Sequence, residues 1–322
     1  MMTRRFGIRL MAAMAIIFAE VTSSQAQSVS PEVSTETARM VDGVKIERLT
    51  EKLGFPEGPV WLRSGKLLFS DVHNGIIYEM DKHGKAERWH TFAPPGSSNG
   101  LILDLSGKKL FACGHGELAF LEFDLADKSV RYLARDAGGR PFCNVNDVAV
   151  CQNGFVYFTD PKWGQKPGDI QGVYRINPSD ASTTLVAEME KQPNGIVVSP
   201  DQKSLFVVRT GGNDVWNFDI RADGTLSSGT QWMVLPKGTG PDGMTVDSSG
   251  TLYIAGAGDG TITVVSREKQ VLKKIPVFDR MCTNCEFEDA APGGIGNGKI
   301  LYATGDGQKG KNVGAVCRLT FP

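Results

Sequence analysis

Along this chain short apolar runs alternate with polar, glycine-bearing turns, and six times the alternation takes one form. A polar residue opens each copy, an apolar run follows, a turn interrupts, and a second apolar run returns. The copies read PEGPVWLRSGKLLFSD, SNGLILDLSGKKLFAC, VNDVAVCQNGFVYFTD, PNGIVVSPDQKSLFVV, PDGMTVDSSGTLYIAG and, more loosely, CEFEDAAPGGIGNGKILYAT. Their anchors are Glu57, Asn99, Asn146, Asn194, Asp242 and Glu286, at successive spacings of 42, 47, 48, 48 and 44 residues. Runs this short, alternating with period two and bounded by Gly, Pro, Asn and Asp, predict strands joined by tight turns. The fifth copy shows the unit: a turn at Pro241-Asp242-Gly243, a strand over 244–247, a hairpin turn at Ser248-Ser249-Gly250 and its partner over 252–255. Further strands are expected over 261–266 and 273–278, completing four. Helical periodicity is almost absent. A four-stranded unit repeated at this spacing predicts an all-β, six-bladed β-propeller around a central metal-binding channel.

The chain ends bear on how the ring closes. Residues 45–49 and 313–319 both read as strands, and pairing the first into the last blade would leave no long exposed edge. Ahead of them, Arg4, Arg5 and Arg9, an apolar run over 10–19 and the small-residue pattern Ser24-Gln25-Ala26 predict a cleaved export signal over 1–26. That run is too short for stable membrane insertion. The expected division is a signal over 1–26, a mobile polar linker over 27–44 and the propeller over 45–322, with a periplasmic or secreted product.

Composition narrows the partners. The 322 residues carry a formal net charge of −1 and no basic block, which argues against nucleic acid or an anionic membrane. The 38 glycines suit a fold that turns every few residues. Six cysteines in an exported chain permit disulfides, but spacing does not assign pairs.

One oxygen-bearing side chain at the same place in every blade makes a ring. A lone Asn-Gly or Asp-Gly is most simply a turn former, but several anchors in one register, one of them a glutamate, are not explained by turns alone. Glu57, Asn146, Asn194 and Asp242, with Asn99 nearby, offer carboxylate and amide oxygens, which suit Ca²⁺ and less well Mg²⁺, Mn²⁺ or Fe²⁺. The lack of His or Cys among them disfavours zinc.

These motifs, in this order, resemble the SMP-30/gluconolactonase/luciferin-regenerating family, from about Glu51 to the C-terminus. The resemblance implies a six-bladed propeller with one axial divalent cation and hydrolysis of a small-molecule sugar lactone. It implies that Glu57 of E-G-P-V-W, Asn194 of P-N-G and Asp242 of P-D-G-M hold the metal. Asn146 of N-D would lie beside the metal and contact substrate or water, and Asn99 would contact substrate; Asp242 would double as the base. Trp163, in a loop resembling the family's T-D-P-x-x-G, is a candidate cavity wall, and His115, after an inner strand, a candidate rim contact. Where some members place a substrate-holding Arg two residues before the Asn of N-D, this chain has Asn144, and Phe287-Glu288-Asp289 replaces the common F-G-G. Two rivals stay open: another ester or phosphotriester hydrolase on this scaffold, and a non-catalytic, Ca-stabilised binding propeller.

Other patterns are weaker. Gly96-Ser97-Ser98-Asn99-Gly100 matches a nucleophile elbow, but a Pro-Pro loop precedes it and a strand is expected after it, where the elbow needs strand then helix. The glycines of 305–310 match a dinucleotide fingerprint, again with a strand to follow. Cys282-Thr283-Asn284-Cys285 is expected to be a loop cysteine pair. His73, His83 and His90 are expected to be solvated, and Trp61, Trp89, Trp216 and Trp232 to pack between blades.

Overall fold

Antiparallel sheets follow one another around a single axis in the computed structural model, which describes residues 30–164, 169–288, 290, 294–308 and 310–322. The segment read as an export signal lies outside the described residues. Among those described there is no helix long and apolar enough to cross a membrane.

Six blades form the ring. In the first five the strands pair in chain order, so each blade is a meander from axis to rim. The first runs from Pro56–Trp61 out to Ala86–Thr91, the second from Leu101–Leu103 to Val130–Ala134, and the third from Val148–Val150 to Thr183–Glu188. The fourth runs from Pro193–Val198 to Thr230–Val234 and the fifth from Pro241–Asp247 to Val271–Pro276. Both ends of the chain build the sixth: Cys282–Phe287, Ile300–Gly305 and Gly314–Thr320, with Val44–Leu53 antiparallel on the outside. Hydrogen bonds between the chain ends thus close the ring, as the two terminal strands predicted.

Part of the segment expected as a mobile linker is tied to this edge. Arg39–Val41 folds back on Val44–Leu53, and Glu32–Val33 pairs further along the same strand. The turn is Asp42-Gly43, with φ of 48° and 81°, the left-handed pair of a two-residue hairpin.

Burial explains why inner strands read as continuous apolar runs and outer ones do not. All seven residues of Pro241–Asp247 are buried, whereas Val271–Pro276 is largely open to solvent. Apolar clusters fill each of the six seams between blades. Between the sixth and first blades, Trp61 stacks on Tyr302 with centroids 5.2 Å apart.

Hydrogen bonds cross every seam near the axis. Ser70 Oγ donates to the Asn99 carbonyl at 2.7 Å and the Gly100 N–H to the Asn146 carbonyl at 2.7 Å. Thr159 and Thr210 Oγ1 donate to the Asn194 and Pro241 carbonyls, each at 2.8 Å. Thr245 Oγ1 donates to Glu286 at 3.0 Å, and Thr283 Oγ1 to the Pro56 carbonyl at 2.7 Å.

Candidate functional site

The anchor motif works because the residue after the anchor has almost no room. A Cβ on Gly58 would stand 2.3 Å from the Asn99 carbonyl, and one on Gly195 2.3 Å from the Asp242 carbonyl. On Gly243 it would meet the Asn284 amide at 2.1 Å, and on Gly100 the Asp147 carboxylate at 2.5 Å. Only glycine lets neighbouring strand starts approach this closely. Two blades depart from the rule: Asp147 in the third and Asn284 in the sixth. In a ring of six these blades face each other, and the two side chains interact across the channel.

Strand register identifies the equivalent positions. Pro56, Pro193, Pro241 and Cys282 face the last residues of the strands that follow them, Asp71, Arg209, Gly256 and Gly305. One residue further on stand Glu57, Asn194, Asp242 and Thr283. The sixth anchor is therefore Thr283, not Glu286 as the spacing suggested. Glu286 lies deeper, opposite Tyr302, where its carboxylate accepts from Thr245 and from the Phe287 N–H. The same shift moves Cys282 and Cys285 out of the expected loop and onto a buried inner strand. Cys113, Cys151, Cys282, Cys285 and Cys317 are buried free thiols.

The structure brings Glu57, Asn194 and Asp242 together with Asp147, which the motif reading passed over. Glu57 interacts with Asp242, Asp147 and Asn284, residues of the fifth, third and sixth blades, which can meet the first blade only at the axis. Asn194 hydrogen-bonds the Asp242 carboxylate and donates to Thr210 Oγ1 at 3.1 Å. Asn99 and Asn146 are buried at the starts of their blades, yet their amides make no side-chain hydrogen bond among the described residues.

Electrostatics define what the channel lacks. Burial, and then the neighbouring Asp242 and Asp147, push Glu57 well above the ordinary carboxyl range. Burial pushes Asp242 up to about 8, with the Asp147 charge adding and the Asn194 hydrogen bond opposing. Asp147 rises to about 7 and Glu286 to about 8, again chiefly through burial. No basic side chain figures among the leading influences on any of the four. Buried carboxylates without a counter-charge are costly, so this donor set fits a hard cation. Among the described residues no three His, Cys, Asp or Glu side chains gather as a metal cluster, so amide oxygens would have to complete the ligand set.

Two buried aspartates brace the chain just before the anchors. Asp71 accepts the Gly54 and Phe55 N–H groups at 3.0 and 2.9 Å, immediately ahead of Glu57. Asp160 accepts the Cys143 N–H at 2.8 Å and the Asn144 N–H at 2.6 Å, immediately ahead of Asn146. They are the closing residues of the FSD and FTD copies, so the repeat itself carried this signal.

The rim residues divide. His115 is buried, bonds to the Val145 backbone beside the third anchor, and is pushed down by burial to about 4, so it is neutral near pH 7. Trp163 is half-buried in the loop after Asp160, next to residues 165–168, which lie outside the described set. The nucleophile-elbow match fails on geometry: Ser98 is buried against Ser70 Oγ at 2.7 Å, and a strand follows. After the glycines of 305–310 comes strand Gly314–Thr320, so that match fails too.

Comparison with known proteins agrees with this architecture. The family model described as SMP-30/Gluconolactonase/LRE-like region matches residues 55–293. A gluconolactonase of Zymomonas mobilis is 28% identical over 243 residues, 66% of this chain and 67% of that relative. Lactonase drp35 of Staphylococcus aureus is 24% identical over 266 residues, 80% and 81% of the two chains. Among solved structures, XC5397 from Xanthomonas campestris, described as a gluconolactonase, superposes with a TM-score of 0.74 at 25% identity, covering 90% of this chain and 96% of that one.

Proposed function

The chain belongs to the SMP-30/gluconolactonase/LRE-like family, and we propose that it is a metal-dependent hydrolase that opens the ring of a sugar lactone. The observation that carries the reading is the meeting of Glu57, Asn194 and Asp242 at the axis with no basic side chain among the leading influences on the two carboxyls from the described residues. Glu57, Asp242 and the amide oxygens of Asn194 and Asn146 would hold one divalent cation, Ca²⁺ before Mg²⁺, Mn²⁺ or Fe²⁺. When bound, such a cation supplies Lewis acidity toward the lactone carbonyl and stabilises the negative charge that develops on its oxygen.

The remaining chemistry falls to the chain. Asp242 accepts a proton from the attacking water as the new C–O bond forms, and returns it to the ring oxygen as the ester bond breaks. Burial alone would keep this carboxyl protonated at pH 7; a positive charge beside it restores the ionised form a base needs. The buried amides of Asn99 and Asn146, without partners among the described side chains, orient substrate and water. His115, neutral and fixed on the Val145 backbone, adds a polar wall without charge, and Trp163 adds an apolar one.

Substitution separates ligand from base. Glu57→Gln removes a charge the cation requires, so activity should fall and recover partly with added metal. Asp242→Asn keeps a ligand oxygen but removes the base, so kcat should fall by roughly 10²-fold or more even at saturating metal. Aldonolactone hydrolysis, corrected for the background rate, is the assay. Full activity of Asp242→Asn at saturating metal would make Asp242 a ligand only. We also propose export to the periplasm or beyond; N-terminal sequencing of the native protein should begin near Gln27, and a retained leader would refute it.

A further inference from the structure

Away from the axis, on the flank between the third and fourth blades, lies a cleft of about 550 Å³. That is the size range of small-molecule sites. No axial residue lines it.

Its walls differ in kind. Trp216 and Phe218, from strand Asp214–Asp219, form an aromatic wall. The Arg209 guanidinium lies over the Trp216 ring at 4.5 Å, and Asp214 holds it with two hydrogen bonds of 2.9 and 2.6 Å. Asp214 also accepts from Gln231 at 2.7 Å, so the guanidinium is held in place over the indole. At Gly229 a Cβ would stand 2.3 Å from the Phe218 ring, so glycine keeps this wall closely packed. Facing it, Glu188 and Glu190 are exposed at the end of the third blade's outer strand. Arg221, held by Thr225 and the Leu226 carbonyl, stands at the edge.

This chemistry selects one class of ligand. Asp214 cancels the charge of Arg209, which leaves Arg221 against two glutamates, so an anion gains nothing here. A purely apolar ligand would leave the charged groups desolvated and unpaired. A neutral molecule with one apolar face and a rim of hydroxyls meets both walls: its face covers the indole, and its hydroxyls accept from arginine and donate to carboxylate. We propose that the cleft binds a neutral saccharide, one pyranose ring lying on Trp216 with its hydroxyls shared among Arg221, Glu188 and Glu190. The site is non-catalytic and independent of the axial reaction.

Saturation-transfer NMR and calorimetry on the full chain, with glucose, maltose and cellobiose as probes and inorganic phosphate as the anionic control, test this. At least one sugar should bind with a Kd in the millimolar range, weakened about tenfold or more in Trp216→Ala and in Arg221→Ala. Lactone hydrolysis should be unchanged in both, and the saccharide affinity should be unchanged in Glu57→Gln. Arg221 is exposed, so that variant reads the site even if Trp216→Ala fails to fold. Absence of binding by all three sugars, equal binding in Arg221→Ala, or a preference for phosphate would overturn the proposal.

Discussion

Replacing Gly195 with alanine tests whether the ring depends on close approach of neighbouring blades. Gly195 follows Asn194, and an added Cβ would stand 2.3 Å from the Asp242 carbonyl and 2.9 Å from Gly243 backbone atoms. Ordinary contact begins at 3.4 Å, so the seam must open by about 1 Å, and the obstacle is backbone that cannot rotate away. The φ of Gly195 lies outside the left-handed region, so conformational strain adds nothing. Overpacking of this kind costs about 1–3 kcal/mol, or roughly 2–6 °C in Tm for a domain of this size. Gly154→Ala is the control: its φ of 90° brings strain, but nothing lies within 4 Å. Both variants should melt earlier. Only Gly195→Ala should weaken calcium binding and lactone hydrolysis, because it parts Asn194 from Asp242. Thermal melts and calorimetric calcium titration decide. A Gly195→Ala protein as stable as wild type refutes the packing account; one that is destabilised yet binds calcium normally refutes the placement of ligands on either side of that seam.

Three further outcomes are expected. Asp160→Ala leaves the half-buried Cys143 and Asn144 N–H groups without their acceptor, so urea unfolding should show a loss of about 1–3 kcal/mol, with Asp160→Asn milder. Chelator-treated protein should lose stability as pH rises from about 5 to 8: Asp147, Asp160, Asp242 and Glu286, raised to between about 7 and 8, keep protons there that the unfolded chain has released. Calcium should restore most at the upper end, and a melting temperature flat across that window would refute the account of the channel charge. Thiol titration should find Cys113, Cys151, Cys282, Cys285 and Cys317 slow to react in the native protein and all reactive in denaturant, because folding buries them.

Much of the propeller was legible because its repeat is local chemistry. Each inner strand must be apolar on both faces to fill two seams, and each hairpin needs its turn residues, so strand after strand could be placed from pattern. The fifth blade shows this: strands expected over 261–266 and 273–278 are Thr261–Val265 and Val271–Pro276. Within the segment expected as a linker, the Asp42-Gly43 turn is the signal for the pairing of Arg39–Val41 with Val44–Leu53, a signal that polarity alone does not carry. An exposed strand on the rim needs hydrogen bonds more than it needs an apolar face.

The axial site was harder to read where the repeat breaks. In the sixth blade, twelve residues, 288–299, separate the two inner strands, where a short turn joins them in the fifth. Ile295–Gly296 pairs in parallel with Pro241–Asp247, so the insertion belongs partly to the neighbouring blade. Measured from the return strand, the anchor slid to Glu286; measured from the strand start it is Thr283, whose hydroxyl spans the last seam. Asp147 does not figure among the anchors because it stands one residue after its anchor, where four copies have glycine. The glycines are there because the blades crowd the axis, so Asp147 and Asn284 mark the two opposed places where the channel admits a side chain, and the carboxylate at one of them belongs to any account of what the channel holds.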